Sequence, residues 1–360
     1  MYCGASFLLV KTDVVKLIVM KDIIAIGSAT RDNFLESDYQ MIDWPDTPSK
    51  KALVFPFAEK IGVKKFYSTI GGNSANASVT FARQGFKTAC FAKLGKDLAG
   101  KELISYLKKE GVATKLAVYS DEKPTAYSVL LLSGGERTIL GYHGASDTVV
   151  LEDFNLKKLK SRWWYLSLAG ESDKVYPDLI KFARENKIKV AFNPSGHHIK
   201  HRRQEILDSL KDLSFLVLND GEAAELVGIS FEKEKEVFKK LDNLMPGIVA
   251  VTKGPAGVAV SDGKNIYHAG VFKEKIIADR TGAGDSFGSG FVAGLMNFEL
   301  STKNLELRTE AIQYAIRLAT ANATSVVEHI GATEGILTRE QFEQDPRWKD
   351  LNIQVESLSR

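Results

Sequence analysis

From residue 22 onward, short apolar runs alternate with amphipathic stretches. The runs DIIAIG (22–27), TACFAKLG (88–95), WWYLSLAG (163–170), KVAFNPSG (189–196), LSFLVLND (213–220) and GIVAVTKG (247–254) predict β-strands. Helical spacing fills the intervals at 73–85, 101–111, 176–187 and 232–243, with a longer helix at about 306–327. Strands that alternate with helices predict an α/β fold: a doubly wound, mainly parallel sheet with helices on both faces. The runs are apolar throughout, as strands covered on both faces must be. Two regions, about 35–70 and 113–148, carry β-type runs with no helix between them, and they predict a small β-sheet lid. The pattern divides the chain into an N-terminal extension (1–20), one main domain (21–340) and a polar tail (341–360) with a short helix.

Composition narrows the partners. The 360 residues are 44% hydrophobic and 26% charged, with a net charge of +3, which is ordinary for a globular protein. Basic stretches such as HHIKHRR (197–203) are short and not interleaved with aromatics, so a nucleic-acid groove is not expected. Two distant cysteines, Cys3 and Cys90, suggest a reducing, cytoplasmic setting without disulfides. No apolar run reaches the roughly 18 residues of a membrane span. Lys11, Asp13 and Lys16 interrupt the N-terminal apolar patches, which argues against a signal peptide. The histidines of HHIKH (His197, His198, His201) have no nearby carboxylate to complete a metal set, and a solvated loop and helix start is the expected reading.

In open parallel sheets, ligands sit in the turns that follow the strands. Here those turns are polar and glycine-rich: GSATRD, GGNSAN, NPSG, NDGE, TKGPAG and RTGAGD. In the last, Gly282, Ala283 and Gly284 precede a helix whose first turn holds Asp285. Free N–H groups at such an end form an anion hole, and the same positive end keeps Asp285 ionised. A carboxylate beside an anion hole suits a base that deprotonates a hydroxyl while the hole holds a phosphoryl group; the alternative is an acidic N-cap. Two nucleotide motifs fail. GKDLAGKE has a P-loop skeleton, but Glu102 stands where Ser or Thr is needed, and GAGDSFG is mis-spaced for a dinucleotide fingerprint. Gly288, Gly290 and Gly294 lie inside the helix at about 1 kcal/mol each against alanine, and close packing against the sheet or a nucleotide is the expected reason.

DRTGAGDSFGSGFVAGL (279–295) and GGNSANASVTFARQGFKTACFAKLGKDLAGKELISYLKKEGV (71–112) resemble the C- and N-terminal signatures of the ribokinase-like (PfkB-type) carbohydrate kinases. The likeness runs in order over about residues 21–335. It implies an ATP-dependent enzyme that phosphorylates the primary alcohol of a sugar, with Asp285 as base and the N–H groups of Gly282, Ala283 and Gly284 as anion hole. By the same resemblance, Asp32, Gly71, Gly72, Asn73 and Asn76 bind the acceptor. Thr252, Lys253, Gly254 and Gly257 lie near the ATP ribose and phosphates, and Asn322 near the adenine. Asn219 and Glu222 help hold Mg2+ through water, unless they merely form an Asx turn opening a helix. Asp279 matches a position associated with a monovalent cation such as K+. A homodimer through the lid is also implied. Rival acceptors are a nucleoside, with an aromatic slot drawn from Phe34, Phe55, Phe57, Phe66, Tyr127 and Tyr142, or a phosphorylated sugar anchored by Arg137. A non-catalytic sugar- or nucleotide-binding regulator is the rival from another class.

Overall fold

The computed structural model describes residues 20–47, 49–133, 136–298 and 305–358. The expected extension (1–20) lies outside them except for Met20. Nine strands form the main sheet. From one edge they run Thr88–Phe91, Lys21–Gly27, Ser161–Ser167, Lys189–Phe192, Phe215–Asn219 and Ile248–Thr252, all parallel. Ile23 to Ile26 have no exposed surface, the signature of a strand covered on both faces. The chain leaves Lys21–Gly27 toward Thr88–Phe91 on one side and returns to Ser161–Ser167 on the other. That reversal opens a crevice at the carboxyl end of the first strand.

Three antiparallel strands complete the sheet: Val258–Ser261, Asn265–Ala269 and Ile353–Ser357. The last corrects the picture of the tail. It holds a short helix, Arg339–Gln344, but its end is also an edge strand. Only Ile353 and Val355 alternate with polar neighbours there, too brief a pattern to stand out.

The lid is a four-stranded sheet of Lys65–Gly71, Thr30–Glu36, Ala126–Ser133 and Glu136–Tyr142. It begins earlier than residue 35, because GSATRD runs directly into a lid strand, so Asp32 belongs to the lid. The failed P-loop stretch has a mechanical role instead. Asp97 caps the helix Leu98–Lys109 through Gly100 N (2.8 Å) and accepts from Thr125 N (2.7 Å) and Oγ1 (2.6 Å), tying that helix to the start of a lid strand.

Helices Ala283–Phe298 and Leu305–Val327 pack side by side. A Cβ on Gly294 would come within 2.5 Å of Ala315 Cα, and one on Gly290 within 3.0 Å of Ala319 Cα. A Cβ on Gly288 would meet the Tyr165 hydroxyl, from the sheet, at 2.5 Å. The three glycines thus pack the helix against the sheet and against its neighbouring helix. Gly290→Leu is expected to lose about 1–3 kcal/mol by overpacking, read as a lower urea midpoint; an unchanged midpoint would show slack between these helices.

Candidate active site

Two cavities meet at the start of helix Ala283–Phe298. The first, about 570 Å³, lies between the lid and the crevice, and both Gly282 and Asp285 line it. The second, about 260 Å³, lies on the far side, and Ala283 and Gly284 line that one.

Asp285 reaches the floor of the first cavity. Asn76 donates its Nδ2 to one carboxylate oxygen (3.0 Å), and Asn193 donates to the other (3.4 Å). Burial pushes the Asp285 carboxyl up to about 6; the Asn76 hydrogen bond opposes this and the Asp32 charge adds to it. The group is therefore ionised near neutrality, but with a weaker margin than a helix end alone would give. Asn76 lines the cavity and is 2% exposed, and its Oδ1 is buried without a hydrogen-bond partner, so one of its acceptor atoms is unused.

Asp32 enters from the lid. Thr30 Oγ1 donates to it (2.9 Å), and burial raises its pKa. Gly71 makes the space: a Cβ there would lie 1.9 Å from Asp32 Oδ2. Gly72 has φ +94°, a backbone few side chains tolerate, and turns the chain into helix Asn73–Arg83. Asn73 lines the cavity, yet its Nδ2 donates to Ser167 Oγ (2.7 Å), which in turn donates to the Asn193 carbonyl (2.9 Å). It braces the second amide on Asp285.

At the helix start, Gly282 has φ +78° and accepts Ser286 N through its carbonyl (2.8 Å). Ala283 N–H points to the Arg280 carbonyl at 3.4 Å, a weak bond. The N–H groups of Gly282 and Gly284 have no backbone acceptor among the described residues, and no side chain would crowd a ligand at Gly284. Thr252, Gly254 and Gly257 line the second cavity, with Phe287 and Val327 as apolar wall.

Other expected residues sit elsewhere. Lys253 turns from the cavity to Glu234 (3.2 Å), which also contacts His268 (2.6 Å). Asn322 is fully buried. Its Nδ2 donates to the Ser286 carbonyl (2.9 Å) and its Oδ1 accepts Leu337 N (2.9 Å), so it fastens the helix pair, and its neighbours Ala323 and Thr324 line the cavity instead. Asn219 and Glu222 close on each other as a capping box, at 2.8 and 2.9 Å. Asp279 Oδ1 accepts Thr281 N (3.0 Å) and Oγ1 (2.8 Å) and lies 3.9 Å from Arg137 Nε, while its Oδ2 is buried without a hydrogen-bond partner. HHIKH opens a helix, Gly196–Ser209, but His198 is not solvated. It is fully buried, edge-on to Tyr176 and Phe192, and burial pushes its pKa down to about 4.

Asn193 and Tyr165 were not singled out by sequence. Asn193 follows a predicted strand in NPSG, which is the one signal available. Tyr165, within a buried strand, places its hydroxyl 3.4 Å from Asn193 Nδ2.

Comparison with known proteins follows the same lines. Residues 38–339 match the family described as "pfkB family carbohydrate kinase". Ribokinase of Lactococcus lactis is 27% identical over 300 residues, covering 82% of this chain and 91% of its own. A probable chloroplastic fructokinase-6 of Arabidopsis thaliana is 27% identical over 294 residues, covering 76% and 74%. The structure of Arabidopsis thaliana ribokinase complexed with ribose and ATP superposes with a TM-score of 0.72 at 21% identity, covering 92% of this chain and 99% of that one. The chain belongs to the pfkB family of carbohydrate kinases and is an enzyme of that class.

Proposed function

We propose that this kinase transfers the γ-phosphoryl group of ATP to the primary alcohol of a neutral sugar. One observation carries the reading: a single helix start lines both cavities, with Gly282 and Asp285 on the larger one and Ala283 and Gly284 on the smaller one. In the proposed reaction the acceptor lies in the larger cavity. Its hydroxymethyl oxygen gives its proton to Asp285 as it attacks the terminal phosphorus of ATP, and ADP leaves toward the smaller cavity. The N–H groups of Gly282, Ala283 and Gly284 hold the phosphoryl oxygens, which carry spread negative charge in the transition state. Asp32 accepts from acceptor hydroxyls, Asn76 Oδ1 takes another, and Gly71 and Gly72 keep the backbone low beneath the ring. Lid closure over this cavity excludes water from the phosphoryl group.

The charge in the larger cavity supports a neutral acceptor. Asp32, Asp147, Glu171 and Asp285 line it, and Arg137, which also lines it, lies within ion-pair distance of Asp279. A phosphorylated sugar would meet like charges there, which disfavours that rival. A nucleoside is a second reading with its own support. The cavity falls within the ~300–1,000 Å³ of ordinary small-molecule sites, more than a bare pentose needs, and Tyr142, His143 and His197 offer rings at its wall.

Asn219 and Glu222 each give one side-chain oxygen to the capping box, so in this reading they reach magnesium through water rather than as direct ligands. Magnesium therefore belongs to the nucleotide's phosphates in this reading. The unpartnered Asp279 Oδ2 fits a monovalent cation such as K+. On the lid's outer face, Phe66, Tyr127 and Leu140 are exposed and share a register face, an apolar surface suited to a lid-to-lid homodimer.

Asp285→Asn is expected to lower turnover about 10²–10⁴-fold while ADP still binds; unchanged turnover would remove Asp285 from the base role. The same change tests the buried charge. The native state holds this proton more tightly than the unfolded chain, so stability falls as pH rises between about 4 and 6. Asp285→Asn should then gain up to about 3 kcal/mol at pH 7 and little below pH 4, read by urea unfolding at both. For the wild type, kcat/KM should drop below about pH 6. In Asn76→Ala the acid limb should move to higher pH, because the hydrogen bond that opposes protonation is gone. ATP consumption against ribose, fructose, keto-deoxy sugar acids, sugar phosphates and nucleosides separates the two acceptor readings.

A further inference from the structure

In sequence Arg280 stands between the buried Asp279 and the anion-hole glycines, and it lines the smaller cavity beside Ala283 and Gly284. Among the described residues it is the one cation in that wall, and it has no carboxylate within ion-pair distance. Glu274 is the one acid in the same wall, and it makes no ion pair with Arg280. Lys253, the other cation that the turns supply near this cavity, is spent on Glu234. Arg280 is a half-buried residue whose guanidinium has no hydrogen-bond or ion-pair partner among the described residues, and the natural partner of such a group is an anion. The polyphosphate of a nucleotide is the anion that the cavity's place in the proposed reaction supplies. The N–H groups of Gly282 and Gly284 are neutral donors, so without Arg280 this end of the site would meet several negative charges with no fixed positive side chain.

We propose that Arg280 is a nucleotide-binding residue whose guanidinium pairs with the polyphosphate of the bound nucleoside di- or triphosphate, supplying the fixed cation that Lys253 does not. The assignment rests on the kinase reading above. It makes position 280 a determinant of nucleotide affinity, separate from the base at Asp285 and the acceptor contacts at Asp32 and Asn76. A planar guanidinium can hold two phosphate oxygens in a fixed bidentate fork, whereas a lysine ammonium acts as a point charge with rotatable donors.

The test is calorimetric titration of ADP into wild type, Arg280→Gln and Arg280→Lys, at roughly 0.05 and 0.5 M salt, where screening differs several-fold in length. Arg280→Gln is expected to weaken ADP by about tenfold to a hundredfold at low salt and to flatten the salt dependence. Arg280→Lys should keep the salt dependence with part of the affinity. Unfolding midpoints of both variants should match the wild type, since the side chain has no protein partner to lose. ADP affinity unchanged in Arg280→Gln would overturn the assignment. So would a weaker affinity with the wild-type salt dependence, which would place Arg280 on the base rather than the phosphates. Failure of the wild-type protein to bind ADP would overturn the kinase reading itself, a distinct result.

Discussion

A carboxylate held away from water must be compensated, and much of the site's architecture is that compensation for Asp285. Two amides do it, Asn76 from the first turns of helix Asn73–Arg83 and Asn193 from the end of a central strand. Each is itself held. Asn193 is braced through Ser167 by Asn73, so adjacent turns of one helix support both donors. Beneath them the Tyr165 hydroxyl touches Asn193 and lies where a side chain on Gly288 would be. The bare backbone of the helix, the buried tyrosine and the paired asparagines are parts of one arrangement. It leaves Asp285 partly unsatisfied, with its carboxyl pushed up to about 6, which suits the proton acceptor proposed above.

The glycines of that helix have two separate tasks. Gly282 and Gly284 leave a helix end open toward ligand, while Gly290 and Gly294 bring a second helix to backbone contact. Asn322 then ties the two helices to the segment that follows, through the Ser286 carbonyl and Leu337 N. A helix pair fixed this way gives the anion hole little freedom to shift relative to the sheet. Electrostatic stabilisation depends on such preorganisation, since donors already in place need not reorganise as charge develops.

Much of this was legible in the chain. The six central strands read directly as apolar runs, because burial on both faces leaves no room for alternation. The turn RTGAGD declared a helix end with a carboxylate, and residue spacing alone placed the acid next to the N–H groups. What stayed hidden depends on partners distant in sequence. Asn193 matters because a strand end faces a helix start 92 residues later. Asn322 resembled a ligand residue by position but is consumed by two backbone groups, and Lys253 is consumed by Glu234. Thr30–Asp32 read as the end of a polar turn, GSATRD, because five of the seven residues of Thr30–Glu36 are polar. On a two-faced sheet those side chains point alternately: Asp32 to the cavity, Arg31 to Ser68 and Glu102 on the other side.

That alternation carries a further consequence. On the proposed reading, the residue that contacts the acceptor, Asp32, is built into the lid sheet, one position from Arg31, which fastens the lid's outer side. On that reading, selectivity and shielding would not be separable traits in this molecule. A change that reshapes the strand to admit a new acceptor also changes how well the cover seats, and poor seating lets water compete for the phosphoryl group. On the proposed reading, a change of acceptor would be expected to need a compensating change on Lys65–Gly71 or Ala126–Ser133, the strands that flank Thr30–Glu36.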